Sequence, residues 1–313
     1  MGQKTNANIF RLGVNKKNWE LKYIEKNIEE SSLYLYKTLE IQKYLNRFFG
    51  LYKIKIHNCK VFYSDGSLQI FISFYATTKT IYVINKVNTS KKLMNYRKKI
   101  SIFSKRLQIR KNSKKNILSS KFLTKQEVVL NEFQEILLES LAVYTKKTVN
   151  VIVTLQNLNS YKQLSQTQNK NFKTVFKQLR KFVRNSFFKE AINILFLSMC
   201  KRKSAKLLAE FISDQFKLNQ LRTDQISLSR KDNHFLGFLK QSIGLLIKSE
   251  ISCITGMKII IKGRFNRAPR AKSVIMQFGK FSLQSFDSKI DYFQSTAYTT
   301  NGTFGVKIWM CEN

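Results

Sequence analysis

One stretch of the chain limits its possible folds more than any other. Between Asp65 and Glu127 there is no acidic residue, while residues 79–125 hold 15 lysines and arginines. Unbalanced cations cannot be packed into a core, because an unpaired charge taken out of water costs more than a whole domain's net stability. This stretch therefore lies outside any core, as an insertion or interaction arm. Ile100, Ile102, Phe103, Leu107 and Ile109 interleave with its cations, as expected of segments that order against a partner. The core has to be assembled from the sequence on either side.

The same imbalance runs through the chain. Its 56 Lys+Arg stand against 19 Asp+Glu, a net charge of +37. A free surface of that kind repels itself and calls for a polyanion, nucleic acid before an anionic membrane. Simple disorder is excluded by a 43% hydrophobic content that includes 25 Phe and 13 Tyr. A chain of 313 residues can bury one large or two small cores. The longest apolar run, residues 191–200, contains Asn193 and falls far short of the ~20 residues a membrane span needs. Met1-Gly2-Gln3-Lys4 opens neither a signal region nor an Arg/Ser-rich transit peptide, so residence in an organelle would imply synthesis there. Cys59, Cys200, Cys253 and Cys311 lie far apart without a C-x-x-C and read as reduced, packed thiols; His57 and Cys59 alternate on one strand, but a pair falls short of the four ligands a structural metal site needs. Two isolated histidines and no P-loop give no catalytic constellation. The expectation is a non-enzyme with no metal, no cofactor and no small-molecule substrate.

Periodicity supplies the elements. Leu21, Ile24 and Ile28, then Leu35, Leu39, Ile41 and Leu45, predict a helix over 20–49 capped by Gly50. Ile54 and Ile56 alternate with lysines, Ser64-Asp65-Gly66-Ser67 supplies a turn, and Leu68, Ile70, Ile72 and Phe74 return, which is a hairpin. Leu130, Phe133, Leu137 and Leu141 mark an amphipathic helix over 126–144, and Val149, Val151, Val153 and Leu155 a strand. Residues 156–172, rich in Gln, Asn and Ser, read as a linker, and 173–200 as a basic helix in which Phe187 and Phe188 are packing residues. Helices follow at 204–217 and 233–249, then strands at 257–262, 274–278, 281–287, 289–298 and 303–310. Asp287 and Asp291 are expected to pair with Lys289, Lys307 or a nearby arginine. Helix, hairpin, helix and strand, then helices, then strands, is an α+β order in two domains.

Both ends carry a resemblance. Met1-Gly2-Gln3-Lys4 through Phe10-Arg11-Leu12-Gly13 is similar to the opening of the small-subunit ribosomal protein uS3 family. Lys262-Gly263-Arg264, Ile290-Asp291-Tyr292, Thr299-Thr300, Gly302 and Gly305-Val306-Lys307-Ile308-Trp309 resemble its C-terminal strands; Ser204-Ala205-Lys206-Leu207 resembles a helix opening. The missing loop glycines and the enlarged Lys/Asn-rich middle favour a mitochondrial over a plastid member, and resemblance and composition together divide the chain into four segments, of which the KH and C-terminal domains are what the resemblance implies. These are a basic arm and helix at 1–38, a degenerate type II KH domain at 39–155 with its insertion at about 79–125, a linker and basic helix at 156–200, and a C-terminal α+β domain at 201–313. The latter packs helices on a mostly antiparallel sheet. The resemblance further implies small-subunit rRNA as partner, neighbouring proteins of the subunit head, mRNA near its entry side, and no membrane. The sequence departs from the family pattern: residues 77–88, where a KH domain needs G-x-x-G, contain no glycine. Gly302-Thr303-Phe304-Gly305 fits that string but leads into a strand, and in Phe235 to Lys240 only Lys240 is basic. A free organellar RNA-processing factor with a KH-like domain is the competing reading.

Lys and Arg bind phosphates and release counterions, and Arg adds a planar bidentate fork. The candidates for RNA contact are Lys4, Arg11, Lys16 and Lys17 in the arm; Lys91, Lys92, Arg97, Lys98 and Lys99 in the insertion; Arg180, Lys181 and Arg184 in the basic helix; Lys240; and Arg264, Arg267, Arg270 and Lys272 around Pro269, the sole proline.

Overall fold

The computed structural model describes residues 5–14, 20–64, 66–77, 80, 121–145, 149–160, 166–201, 203–221, 228–249 and 251–312. Its contacts divide the chain into two compact units, residues 20–157 and residues 1–19 with 158–313. The short helix α1 (Ala7–Phe10) thus groups with the C-terminal half of the chain.

The unit at 20–157 is a four-stranded sheet with two helices on one face. Its elements are β1 (Leu21–Lys22), α2 (Glu30–Leu51), β2 (Ile54–Ser64), β3 (Ser67–Ala76), α3 (Lys121–Tyr144) and β4 (Asn150–Asn157), with strand order β1-β2-β3-β4. β2 and β3 form the expected antiparallel hairpin, and β4 lies parallel to β3. Leu68, Ile70, Ile72 and Phe74 point to the helices, as their period of two requires. β2 contains a bulge between Ile56 and Asn58. The bulge shifts the inward positions from Ile54 and Ile56 to Cys59, Val61 and Tyr63. Cys59 therefore packs against the core, while His57 Nδ1 meets Ser73 Oγ at 2.9 Å on the opposite face. The pair is split across the sheet.

The helix expected over 20–49 begins only at Glu30. Leu21 pairs with Val61 instead, and Ile24 and Ile28 are 80% and 94% exposed. The helix start is fixed by two carboxylates. Glu25 accepts the Ser31 N–H and Glu30 accepts the Lys26 N–H, a reciprocal arrangement like a capping box. At the other end α2 runs past Gly50, and the left-handed position falls on Lys53 (φ 59°). The Lys53 carbonyl accepts hydroxyls from Thr77 (3.0 Å) and Thr80 (2.7 Å). Between α2 and α3, Phe133 sits among Phe48, Phe49 and Tyr52, with ring centroids 4.9–5.3 Å away.

The second unit adds α4 (Gln166–Gln178), α5 (Phe188–Phe196), α6 (Ala205–Leu221) and α7 (Leu228–Lys248), then β5 (Ile254–Gly263), β6 (Lys272–Gly279), β7 (Ile290–Thr299) and β8 (Gly302–Glu312). The expected basic helix at 173–200 is two helices. Around Arg180–Phe182 the chain tightens into a 3₁₀ turn, and after α5 it widens into a π turn at Leu197–Lys201. The sheet is antiparallel, in the order β6-β5-β8-β7. α6 and α7 cover one face, over Met257, Ile259, Ile261, Phe304, Val306, Ile308 and Met310. Phe216 of α6 stacks on Phe304 with centroids 4.8 Å apart. Gly263 is required there: a Cβ at this position would come within 2.2 Å of the Phe304 ring. Gly302, at φ 113°, makes the β7–β8 turn.

Residues 281–287, expected as a strand, form an irregular loop. Their carbonyls turn onto Arg11 instead of a neighbouring strand. Asp291 has a role that the sequence did not show. Its Oδ2 accepts the backbone N–H of Ala205 at 2.8 Å and so caps α6, where a helix N-terminus favours negative charge.

Candidate nucleic-acid interface

One cationic surface of the second unit follows from helical spacing. Lys170, Lys173 and Lys177 recur at three and four residues along α4, so they share a face. Arg180, Lys181 and Arg184 continue through the turn and Lys189 opens α5; all seven are exposed. The only acid between residues 166 and 196 is Glu190. Apolar side chains below hold the ridge in place. Phe172 meets Phe196 at 5.8 Å, Phe176 meets Phe188 at 5.5 Å, and Phe182 is buried against Phe238 at 5.4 Å. Phe187 packs against Phe235 and Phe238, so Phe187 and Phe188 serve the core as the sequence suggested. Lys181 Nζ lies 5.1 Å from the Phe182 ring, which steadies its stem while the charge faces water.

The β5–β6 connection forms a second cationic group. Phe265 anchors it, buried against Phe216 and Phe304 at 6.0 and 5.4 Å. Asn266 takes a left-handed conformation, and Arg264 Nε donates to the Ala268 carbonyl at 2.8 Å. That bond fixes the arginine's stem and leaves its two terminal nitrogens for other acceptors. Arg264, Arg270 and Lys272 are exposed. Lys240 is exposed on α7 beside the buried Phe238 and Leu239.

Arg11 corrects the sequence expectation. It is 1% exposed, with its guanidinium turned inward. Nε donates to Ser288 O (3.0 Å), Nη1 to Ala7 O (3.3 Å), and Nη2 to Leu283 O and Ser285 O (both 2.7 Å). A planar fork with five N–H donors suits a nest of carbonyls as well as it suits phosphate. Burial lowers the Arg11 pKa from its ordinary value. Asn8 docks beside it: its side-chain amide donates to Tyr292 O (2.7 Å) and accepts from Tyr292 N (3.0 Å), as a strand neighbour would. These residues fasten the N-terminus to the sheet and do not face solvent. Lys4, Lys16, Lys17, Lys91, Lys92, Arg97, Lys98 and Lys99 lie outside the described residues, as does the side chain of Arg267.

The RNA-contact candidates read from the sequence left out Lys258, Lys262 and Lys307, whose alternation with apolar residues resembles an ordinary solvated strand face. The usable signal was the absence of acid on the same face. No helix among the described residues is long and apolar enough to cross a membrane.

Comparison with known proteins fits this architecture. Residues 234–310, from α7 through β8, match the family model of ribosomal protein S3, C-terminal domain. The α+β second unit is thus of a ribosomal-protein class. The chain is 27% identical over 201 residues to the small ribosomal subunit protein uS3c of Euglena longa, spanning 63% of this chain and 84% of that protein. It is 36% identical over 106 residues to uS3c of Cyanidium caldarium (34% of this chain, 44% of that one), and 39% identical over 57 residues to uS3 of Phocaeicola vulgatus (18% and 24%). Residues 234–310 thus resemble the C-terminal domain of ribosomal protein S3, and the chain is similar to small ribosomal subunit proteins named uS3 and uS3c.

Proposed function

We propose that this protein is a structural, non-enzymatic constituent of the small subunit of an organellar ribosome, where it binds rRNA. The observation that carries the reading is the coincidence of a ribosomal protein S3 C-terminal domain with exposed cations that have almost no acid among them. Phosphate contacts are made by Arg180, Lys181 and Arg184 on the ridge, Lys240 on α7, and Arg264, Arg267, Arg270 and Lys272 around Pro269. Lys4, Lys16, Lys17 and the 91–99 cations add to them from the arm and the insertion. The unit at 20–157 serves as a degenerate type II KH domain. Its α–β–β–insertion–α–β order and the lack of loop glycines in 77–88 support rRNA contact through fold and charge over sequence-selective grip. The organelle is the mitochondrion, a reading supported by the enlarged Lys/Asn-rich middle. The site is the subunit head near the mRNA entry side, beside neighbouring head proteins.

Gradient sedimentation of lysed mitochondria and of plastids tests this. The protein is expected to comigrate with mitochondrial small subunits at one copy each and to stay there through a moderate salt wash. A broad ribonucleoprotein distribution indicates a free processing factor and contradicts the proposal, as does flotation with lipid. Comigration with plastid small subunits overturns the organelle assignment alone.

A further inference from the structure

We infer that the open face of the C-terminal sheet is a further RNA-binding surface, on which Lys258, Lys262 and Lys307 hold the phosphates of rRNA. This rests on the function proposed above and adds a site to it. α6 and α7 cover only one face of this sheet. On the other, strand register fixes which side chains stand together. Ile260 is flanked across the sheet by Ile275 of β6 and Lys307 of β8, and Lys307 in turn by Gln294 of β7. Lys258 and Lys262 lie two residues to either side of Ile260 on the same face, about 13 Å apart by strand rise. Lys307 stands one strand over, between them. The three ammonium groups thus form a triangle around an aliphatic centre.

Among the described residues nothing covers the face around Lys262 and Lys307, and Lys258 is half-buried. Lys262 and Lys307 are exposed, Ile275 is 60% exposed, and a Cβ at Gly305, beside Lys262, would meet open space. One end is closed by the docked N-terminal segment, where Ala7 packs with Ile290, Cys311, Tyr292 and Trp309. The opposite end is open, with Tyr298 72% exposed. The sign of the charge is uniform. The four strands contain only two acids, and both point to the helix side: Asp291 caps α6, and Glu312 pairs with Lys203 at 3.6 Å. Among the described residues none of the three lysines has a carboxylate partner.

Two considerations favour RNA over a protein. Lysine is depleted from protein–protein interfaces, whereas phosphate contacts are made by such cations. An exposed tyrosine beside a cationic track is suited to stacking on a splayed base. Because the lysines are point charges on a nearly flat surface, the grip is on the backbone and independent of sequence.

The test uses the full chain and a transcript of small-subunit rRNA, with affinity measured from 50 to 200 mM salt. Lys258→Gln/Lys262→Gln/Lys307→Gln is expected to flatten the slope of log K against log[salt] by about 2 to 2.7, three contacts at 0.7–0.9 each. The exposed pair Lys262→Gln/Lys307→Gln, the fallback should the triple variant not fold, is expected to flatten it by about 1.4 to 1.8. Arginine at the three positions is expected to restore the slope. Suppose the wild type binds steeply, a ridge variant (Arg180→Gln/Lys181→Gln/Arg184→Gln) loses slope, and the folded sheet-face variant does not. The sheet face is then no RNA site, and the proposed function stands. If the wild type ignores the transcript, that function fails and this site with it. Retained slope with lost assembly into subunits assigns the face to a protein partner and overturns the inference.

Discussion

Replacing Arg11 with alanine asks whether the N-terminal segment is an arm for RNA or a part of the C-terminal fold. The guanidinium satisfies four carbonyls, of Ala7, Leu283, Ser285 and Ser288, and three of them belong to one loop. Each buried acceptor left without a donor costs about 1–3 kcal/mol. Four of them set an upper limit near 12 kcal/mol, which the structure does not support. The loop over residues 281–288 is a single exposed-to-intermediate layer, so water can reach some of the carbonyls once the side chain is gone. Removing a buried cation also recovers part of its desolvation. The net expectation is a loss of about 2–4 kcal/mol, the range seen when one member of a buried polar network is deleted. Arg11→Lys keeps the charge but not the fork, and is expected to lose about half as much. Denaturant unfolding of the second unit reports the magnitude. Hydrogen exchange reports the place: the Tyr292 and Glu312 amides, which bond to Asn8 Oδ1 and Lys289 O, are expected to lose protection first. In the rRNA titration the alanine variant is expected to keep the wild-type salt slope, because an inward guanidinium touches no phosphate. Stability and exchange unchanged by Arg11→Ala, with a slope flattened by about 0.8, would refute the reasoning and return Arg11 to the RNA surface.

Three further outcomes follow from particular residues. Gly263→Ala forces a methyl into the Phe304 ring, and calorimetry is expected to show a loss of about 1–3 kcal/mol; an unchanged transition would mean that the ring has room to move. Lys53→Gly relieves the left-handed backbone after α2, and is expected to stabilise the first unit by up to about 1 kcal/mol, seen as a higher urea midpoint. Glu40 accepts hydroxyls from Tyr144 and Tyr36, and these bonds, Tyr144's first, hold its carboxyl below the ordinary value. A depressed folded value means stability that is present above the unfolded value near 4.5 and is lost as pH falls through the folded one. Tyr144→Phe is therefore expected to shrink the loss of stability as pH falls below the ordinary value of 4.5, and an unaltered acid limb would show that the bond does not persist in solution.

The strongest periodic signals carried the fold. The hairpin at 54–74, the strand at 150–157 and all four C-terminal strands were legible because alternation or β-branched runs meet turn residues there. The start of α2 was not, since Leu21, Ile24 and Ile28 have helical spacing but lie off the stripe formed by Ile41, Leu45, Phe48 and Phe49, and a carboxylate pair set the boundary. The strand expected at 281–287 failed because Phe281 and Leu283 mimic alternation, while the hydrogen bonds of that loop go to a residue some 270 positions earlier in the chain. No local pattern encodes such a contact. The candidate interface divides in the same way. Helical cations at 173–189 could be placed by spacing, Arg11 could not be told from a surface arginine, and Lys258, Lys262 and Lys307 acquire meaning only when register sets them on one acid-free face.

Protein–RNA crosslinking within intact small subunits, with the crosslinked peptides mapped, tests the account most directly. Crosslinks are expected on peptides spanning 173–189 and 262–272, and none on residues 6–12. Subunits that contain the protein yet crosslink through the Arg11 segment, with the ridge and the β5–β6 tip silent, would contradict it.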